Sequence, residues 1–469
     1  MKDDIIAKID KLIEEDRAEL AKDTIKLVNI KSVRSEAKPG APFGEGPRAV
    51  LDEVLKMGKE RGFETRDYGV GVVSLALKKG DIDLGVWAHG DVVPEGEGWI
   101  YEPYNAIEYK GCVIGRGATD NKGQLVCIMH LLSIFKKLGI KLKYNTALYV
   151  GSNEESGMQD IVGMAGNDDA KGFINVYTPP KLSLVPDGGF PVGYAGKGRL
   201  TIGVKTKEPL SGITLEGGHS NAPGKAEALL DTASCPEIPG CTVEKVDGKV
   251  KITAETAPRH SAHPDPNGNM ITILTKGLID AGLCNKEDAK KLDFIRRLSL
   301  DVTGSIFGID KPNEIMGNST VAAIEIKTRD AGKPELTLNI RYTIDFTADE
   351  LIERIGKACA ENGFEVGGIN KGVSPYVLDK NWDVIRKLNA VSNEVTGDDK
   401  APFSVGGGTY AHRLPNALVY GMNGCLPPED FPKGHGSAHG RDEVVSLDRL
   451  QRAMRIYARA MLALNEMDW

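Results

Sequence analysis

Over roughly the first 195 positions, short apolar runs alternate with segments whose apolar residues recur at three and four positions. This spacing predicts helices over 49–61 and 124–138 and strands over 70–77, 84–88 and 146–151, with a further apolar run over 182–185. Alternation of this kind points to an α/β arrangement, a mixed or mostly parallel sheet covered by helices. Near 193–198 the pattern changes. Strand candidates follow over 200–205, 250–253 and 336–344, with helices expected over 225–232 and 348–362, which together predict two small α+β lobes. After Pro375 the chain resumes with a helix over 381–396, a glycine-rich turn over 406–408 and a helix over 447–464. The expected domains are 1–195 and 376–469 as two parts of one domain, and 196–375 as an insertion placed to act as a lid.

Composition narrows the partners. The 469 residues exceed one ordinary hydrophobic core, in keeping with two domains. Apolar residues at 41% and charged residues at 27% match an ordinary globular protein, and a net charge of −7 argues against nucleic acid or an anionic membrane as partner. The opening residues mix both charge signs with helically spaced apolar positions, an amphipathic helix rather than a signal peptide. No apolar run approaches the ~20 residues that cross a bilayer. Seven scattered cysteines without a CxxC pair fit reduced thiols, so a cytoplasmic location is expected.

The chemistry sits in five short motifs: HGD at 89–91, GRGATDNKG around Asp120, NEESG around Glu154 and Glu155, VPDGG around Asp187, and SAHGRDE around His439. Three of them directly follow apolar runs, where strands would end and an α/β crevice would open. Together they supply two imidazoles and three or four carboxylates, the ligand set of a two-metal hydrolase. Taken singly each has a plainer reading: Asp120 and Asp187 as turn or cap aspartates, the Glu154–Glu155 pair as a solvated face, and HxD as a chance spacing. Their joint presence reverses that preference. Asp91, two residues after His89, is expected to take the proton on the second ring nitrogen and fix the tautomer. His435, in a GHG setting, reads as a flexible-loop decoy.

HGDVVPEGEGW, IGRGATDNKG, NEESG, VPDGG and AHGRDE resemble the M20 family of metallopeptidases, the zinc-dependent aminoacylase and dipeptidase group, over nearly the whole chain. The length, the insertion, GGGTY at 406–410 and NIRYT around Arg341 are similar to the PepV-type bacterial dipeptidases. The resemblance implies a zinc-exopeptidase-like α/β catalytic domain with an inserted two-lobed α+β lid. It implies His89, Asp120 and Asp187 on one divalent ion and Asp120, Glu155 and His439 on the other, with Zn2+ expected and Mn2+ or Co2+ as alternatives. It also implies Glu154 as general base and His263, in HSAHPDPNGN, as the lid group that meets the substrate carbonyl. Asn221, Arg341 and Gly408 are implied as substrate contacts. A small peptide would be the substrate and the chain would act as a monomer.

The implied activity is hydrolysis of short peptides, with N-acyl amino acid deacylation on the same metal set as the alternative and an inactive peptide-binding protein as a remoter one. GGGTYAH places His412 where the family has arginine, with Arg413 following. Imidazole and guanidinium are not equivalent carboxylate binders, so this departure bears on how a substrate's terminal carboxylate is held. Competing signals are weak: GRGATD lacks the third glycine of a dinucleotide fingerprint, GKGR is not a P-loop, and PFSVGGG is not a nucleophile elbow.

Overall fold

The computed structural model describes all residues except 1, 165–169, 219–223, 257–260, 262 and 423. The chain divides into two compact units. The first comprises 1–194, 378–405 and 409–469, and the second 195–377 together with 406–408.

In the first unit, four parallel strands lie in the order Thr146–Gly151, Leu84–His89, Leu182–Val185 and Ala417–Val419. Antiparallel Val72–Ala76 and Glu64–Asp67 extend one side of this sheet, and on the other side Val419 pairs with Gly193. Residues 84–89 and 146–151 are buried along their full length, which is why they read as continuous apolar runs rather than alternating ones. The helix Gly123–Lys137 packs on both strands and against Leu447–Leu464. Its sequence is apolar nearly all round, as suits a helix enclosed on every side. A small antiparallel sheet of Ile107–Tyr109, Cys112–Ile114 and Val444–Ser446 joins the segment before Asp120 to the segment after His439. That pairing carries two sequence-distant motifs to one place.

The second unit is built on one eight-stranded antiparallel sheet. Each half of this sheet has its own helical cover: Met270–Asp280 lies on Lys225–Leu230 and Lys249–Glu255, and Ala348–Glu361 lies on Phe364–Val373 and Gly198–Thr206. One expectation is corrected here. Residues 225–232, rich in Ala, Leu and Glu, do not form a helix; Lys225–Leu230 is a strand hydrogen-bonded on both sides. Ala226, Ala228 and Leu230 point inward in strict alternation while their neighbours do not, so strand pairing overrides helix propensity. The helical cover of that half comes instead from Met270–Asp280, against which Lys286–Leu300 packs.

Among the described residues, no helix is long and apolar enough to cross a membrane.

Candidate active site

The parallel strands of the first unit deliver their polar residues at their C-terminal ends. Leu84–His89 ends on His89 itself, Thr146–Gly151 runs into the loop bearing Glu154 and Glu155, and Leu182–Val185 stops two residues before Asp187. Asp120 lies in the turn Ala118–Lys122, where the backbone leaves helical geometry at φ −135°, ψ 89° just before the helix Gly123–Lys137, and its bond to Asn121 is cis. Gly117, at φ +86°, makes this turn possible: a Cβ there would come within 2.6 Å of Val92. Asn121 ties the turn to the Asp187 loop by donating to the Pro186 carbonyl at 3.1 Å. His439 itself takes the left-handed conformation, φ +60°.

The side chains converge. Among the described residues, two groups present ligand atoms lying within 4.8 Å of one another, His89 with Asp120 and Asp187, and Asp120 with Glu155 and His439. Asp120 is common to both: one carboxylate oxygen is 3.0 Å from His89 Nε2, the other 3.0 Å from His439 Nε2. His439 Nε2 is also 3.0 Å from Glu155 Oε1. Glu154 is buried beside them, and its Oε1 has no hydrogen-bond partner.

The electrostatics reflect crowding of four carboxylates against two imidazoles. Burial and the charge of Asp187 push Glu154 well above the usual carboxylate range, while burial and the charge of Asp120 push Glu155 up and Asp187 up to about 7. Asp120 goes the other way: burial alone would raise it, but hydrogen bonds from His439 and His89 hold it far below the ordinary value. Burial would lower His439, yet the charge of Glu155 and the bond to Asp120 carry it up to about 12. A surplus of buried negative charge around paired nitrogen and oxygen donors is a setting that divalent cations would neutralise, and the donor set suits them.

Asp91 departs from expectation in one respect. His89 Nδ1 meets the main-chain carbonyl of Asp91 at 3.0 Å, whereas the Asp91 carboxylate stands off at 3.6 Å. That carboxylate is engaged elsewhere, accepting the main-chain N–H groups of Glu154 and Glu155 at 3.1 and 3.0 Å. The tautomer of His89 is thus set by a backbone carbonyl. His435 is also more ordered than its glycine neighbours imply: Nδ1 pairs with Asp442, which in turn accepts the Ile100 and Tyr101 N–H groups at 2.9 Å.

Sequence reasoning passed over several supporting residues. Glu443, inside the SAHGRDE motif, is fully buried and accepts from the N–H groups of Gly117, Thr119 and Asp120 and from Arg116. Asp160, five residues beyond Glu155, accepts from the Ser152 and Asn153 N–H groups at 2.9 and 3.1 Å and from the Tyr410 hydroxyl at 2.5 Å. The close fit explains Gly151, where a Cβ would fall 1.9 Å from that hydroxyl. Acidic residues four positions after His439 and five after Glu155 are the trace of these contacts in the sequence.

The remaining candidates belong to the second unit. Arg341, on the strand Pro334–Tyr342, is 3% exposed, with Nε donating to Asn339 at 3.0 Å and an amino group to the Gly406 carbonyl at 3.3 Å. Burial, with the charge of Arg199 directly across the strand pair, lowers Arg341 to about 10. His263 is exposed, Gly408 is partly exposed, and Asn221 lies outside the described residues. In the first unit, His412 Nδ1 accepts the Thr409 N–H at 3.2 Å, closing the short turn Tyr410–His412.

Comparison with known proteins gives the family and the fold. The model of the peptidase family M20/M25/M40 matches residues 85–463. The chain is 28% identical to "Putative dipeptidase YtjP" of Bacillus subtilis (strain 168), covering 96% of this chain and 97% of that one. It is 27% identical to "Putative dipeptidase SH1171" of Staphylococcus haemolyticus (strain JCSC1435), covering 96% and 98%. Among solved structures, human carnosine dipeptidase 1 aligns with a TM-score of 0.61 at 13% identity, and the di-peptidase Dug1p of Saccharomyces cerevisiae with 0.60 at 14%, each over 99% of both chains. These two share the fold. With most of its length matched by the family model, the chain is a hydrolase belonging to peptidase family M20/M25/M40.

Proposed function

We propose that the protein is a dipeptidase working with two divalent ions, held by His89, Asp120 and Asp187 and by Asp120, Glu155 and His439. The observation that carries this reading is the placement of Glu154, a buried carboxylate with an unpartnered oxygen beside two imidazole and carboxylate triplets that share Asp120. Ions bound there would supply Lewis acidity, lowering the pKa of a water from about 15.7 toward ~7 and polarising the scissile carbonyl. Zn2+ fits the donors, and Mn2+ or Co2+ would also be accepted.

The protein's own residues account for the proton transfers. Glu154 has no hydrogen-bond donor on Oε1, so that oxygen is free to take a proton from the attacking water. Once protonated, the same carboxyl group can hand its proton to the leaving amine. Asp91 holds the loop that carries Glu154 and Glu155 by accepting both main-chain N–H groups. Across the second unit, His263 would donate to the developing oxyanion, Arg341 would take the substrate carboxylate with its planar fork, and Asn221 and Gly408 would line the substrate. The second unit acts in this reading as a lid that limits substrates to short peptides.

The same metal set would serve N-acyl amino acid deacylation. The relatives named as dipeptidases favour the peptidase reading. All seven cysteines are free thiols, in keeping with a cytoplasmic setting. The insertion is long enough to make a monomer complete, and activity lost on dilution of an obligate dimer would oppose that. Rates on Ala-Ala, β-Ala-His, a pentapeptide and N-acetyl-Ala test the proposal. Preference for the dipeptides supports it, whereas exclusive cleavage of N-acetyl-Ala, or equal rates on the pentapeptide, would overturn the substrate assignment.

A further inference from the structure

We infer that the buried ion pair Arg116–Glu443 is a positioning device for the ion ligands Asp120 and His439, with each partner responsible for a different ligand. The inference rests on the two triplets being ion sites. Arg116 is 1% exposed and Glu443 0%, and their charged atoms lie 2.6 Å apart. A buried pair of this sort seldom adds net stability over an apolar replacement, so stability alone does not account for it.

The hydrogen bonds divide that role. Glu443 Oε1 accepts from both the Thr119 and Asp120 N–H groups at 2.9 Å, and Oε2 accepts from Gly117 at 3.1 Å. Three N–H donors on one carboxylate fix the irregular turn that aims the Asp120 side chain at both imidazoles. Arg116 uses its other amino group on the far side of the pair, donating to the carbonyls of Glu95 at 3.1 Å and His439 at 3.2 Å. Its guanidinium centre lies 5.1 Å from the Trp99 ring. His439 sits at φ +60°, a conformation that a residue with a side chain keeps only when its surroundings hold it there. The bond from Arg116 to its carbonyl is such a hold.

A difference between the two ion sites follows. Asp120 serves both triplets, whereas His439 serves one. Arg116→Lys keeps a positive charge beside Glu443 but lacks the forked nitrogen that reaches His439. It should therefore weaken the ion held by Asp120, Glu155 and His439 and spare the other. Glu443→Asp keeps the charge but withdraws the carboxylate from the three N–H groups, so it should weaken both.

The test is calorimetric titration of Co2+ into chelator-treated, full-length wild-type protein, Arg116→Lys and Glu443→Asp, with His439→Ala marking the site that contains His439. Visible absorption follows each step, and scanning calorimetry of the ion-free proteins reports their folding. The expected result is two binding events in the wild type, a roughly 10- to 100-fold loss confined to the His439-containing site in Arg116→Lys, and losses at both sites in Glu443→Asp. Two wild-type-like affinities in folded Arg116→Lys, or equal losses at both sites in parallel with a drop in ion-free stability, would overturn the inference and leave Arg116 a purely structural residue. Should Arg116→Lys not fold, two unchanged affinities in Glu443→Asp would overturn it equally. A wild type that takes up fewer than two ions would instead refute the two-ion function, and the inference would fall with it.

Discussion

Asp91 holds Glu154 through the main chain: one carboxylate oxygen accepts the Glu154 N–H at 3.1 Å while the other accepts that of Glu155 at 3.0 Å. A single buried side chain thereby fixes the main chain of both glutamates, while Glu155 meets His439 and Glu154 Oε1 has no hydrogen-bond partner. In Asp91→Asn, the amide oxygen could satisfy only one of the two N–H groups, and the other would face an NH2 group. The expected consequence is a roughly 10- to 100-fold fall in kcat. Kinetics on a dipeptide beside metal analysis would check this, and an unchanged kcat would remove Asp91 from the account.

Loading of the site should release protons. In the ion-free protein, His439 is pushed up to about 12 by Glu155 and Asp120 against the effect of burial, so at neutral pH its imidazole is a cation lodged between carboxylates. Holding an ion as proposed requires His439 to be a neutral imidazole, and that proton has to leave. Calorimetric titrations in buffers of different ionisation enthalpy should therefore show about one or more protons released per chain. Enthalpies independent of the buffer would contradict this.

Away from the site, His130 makes a pH-dependent contribution to stability. Burial alone would lower its pKa, but hydrogen bonds to Asp16 at 2.6 Å and Asp23 at 2.9 Å raise it above the ordinary 6.5. Its stabilisation is thus complete below about pH 6.5 and is lost as pH rises through the higher folded-state value. Asp23 behaves oppositely: burial would raise it, but His130 and then Arg61 hold it below 3.8, so its contribution is present above that pH and lost in acid. The stability difference between wild type and His130→Gln should be largest between roughly pH 4 and 6.5 and shrink toward alkaline pH. Denaturant unfolding across that range measures it, and a flat difference would refute the assignment.

Much of this was legible in the sequence because the site's chemistry is written in local motifs at strand ends. The apolar runs over 146–151 and 182–185 coincide with observed strands, and the run over 84–88 falls one residue short of Leu84–His89. What stayed hidden depends on contacts across the sequence. Lys225–Leu230 has the residues of a helix and becomes a strand because neighbours on both sides pair with it. Glu443 and Arg116 lie 327 positions apart, and the pairing of Cys112–Ile114 with Val444–Ser446 brings them together. The proton acceptor of His89 is likewise a backbone carbonyl, which side-chain identities do not reveal.

In the proposed reaction Glu154 moves the proton while the surrounding triplets hold the ions. Its most direct test is hydrolysis of Ala-Ala by wild type and Glu154→Gln, each reconstituted with Zn2+ and assayed for bound metal. The expected result is the same metal content in both proteins and a rate roughly 10²- to 10⁴-fold lower in the variant. A variant that cleaves the dipeptide at the wild-type rate would overturn this role for Glu154, and a metal-loaded wild type that cleaves no dipeptide at all would overturn the dipeptidase reading.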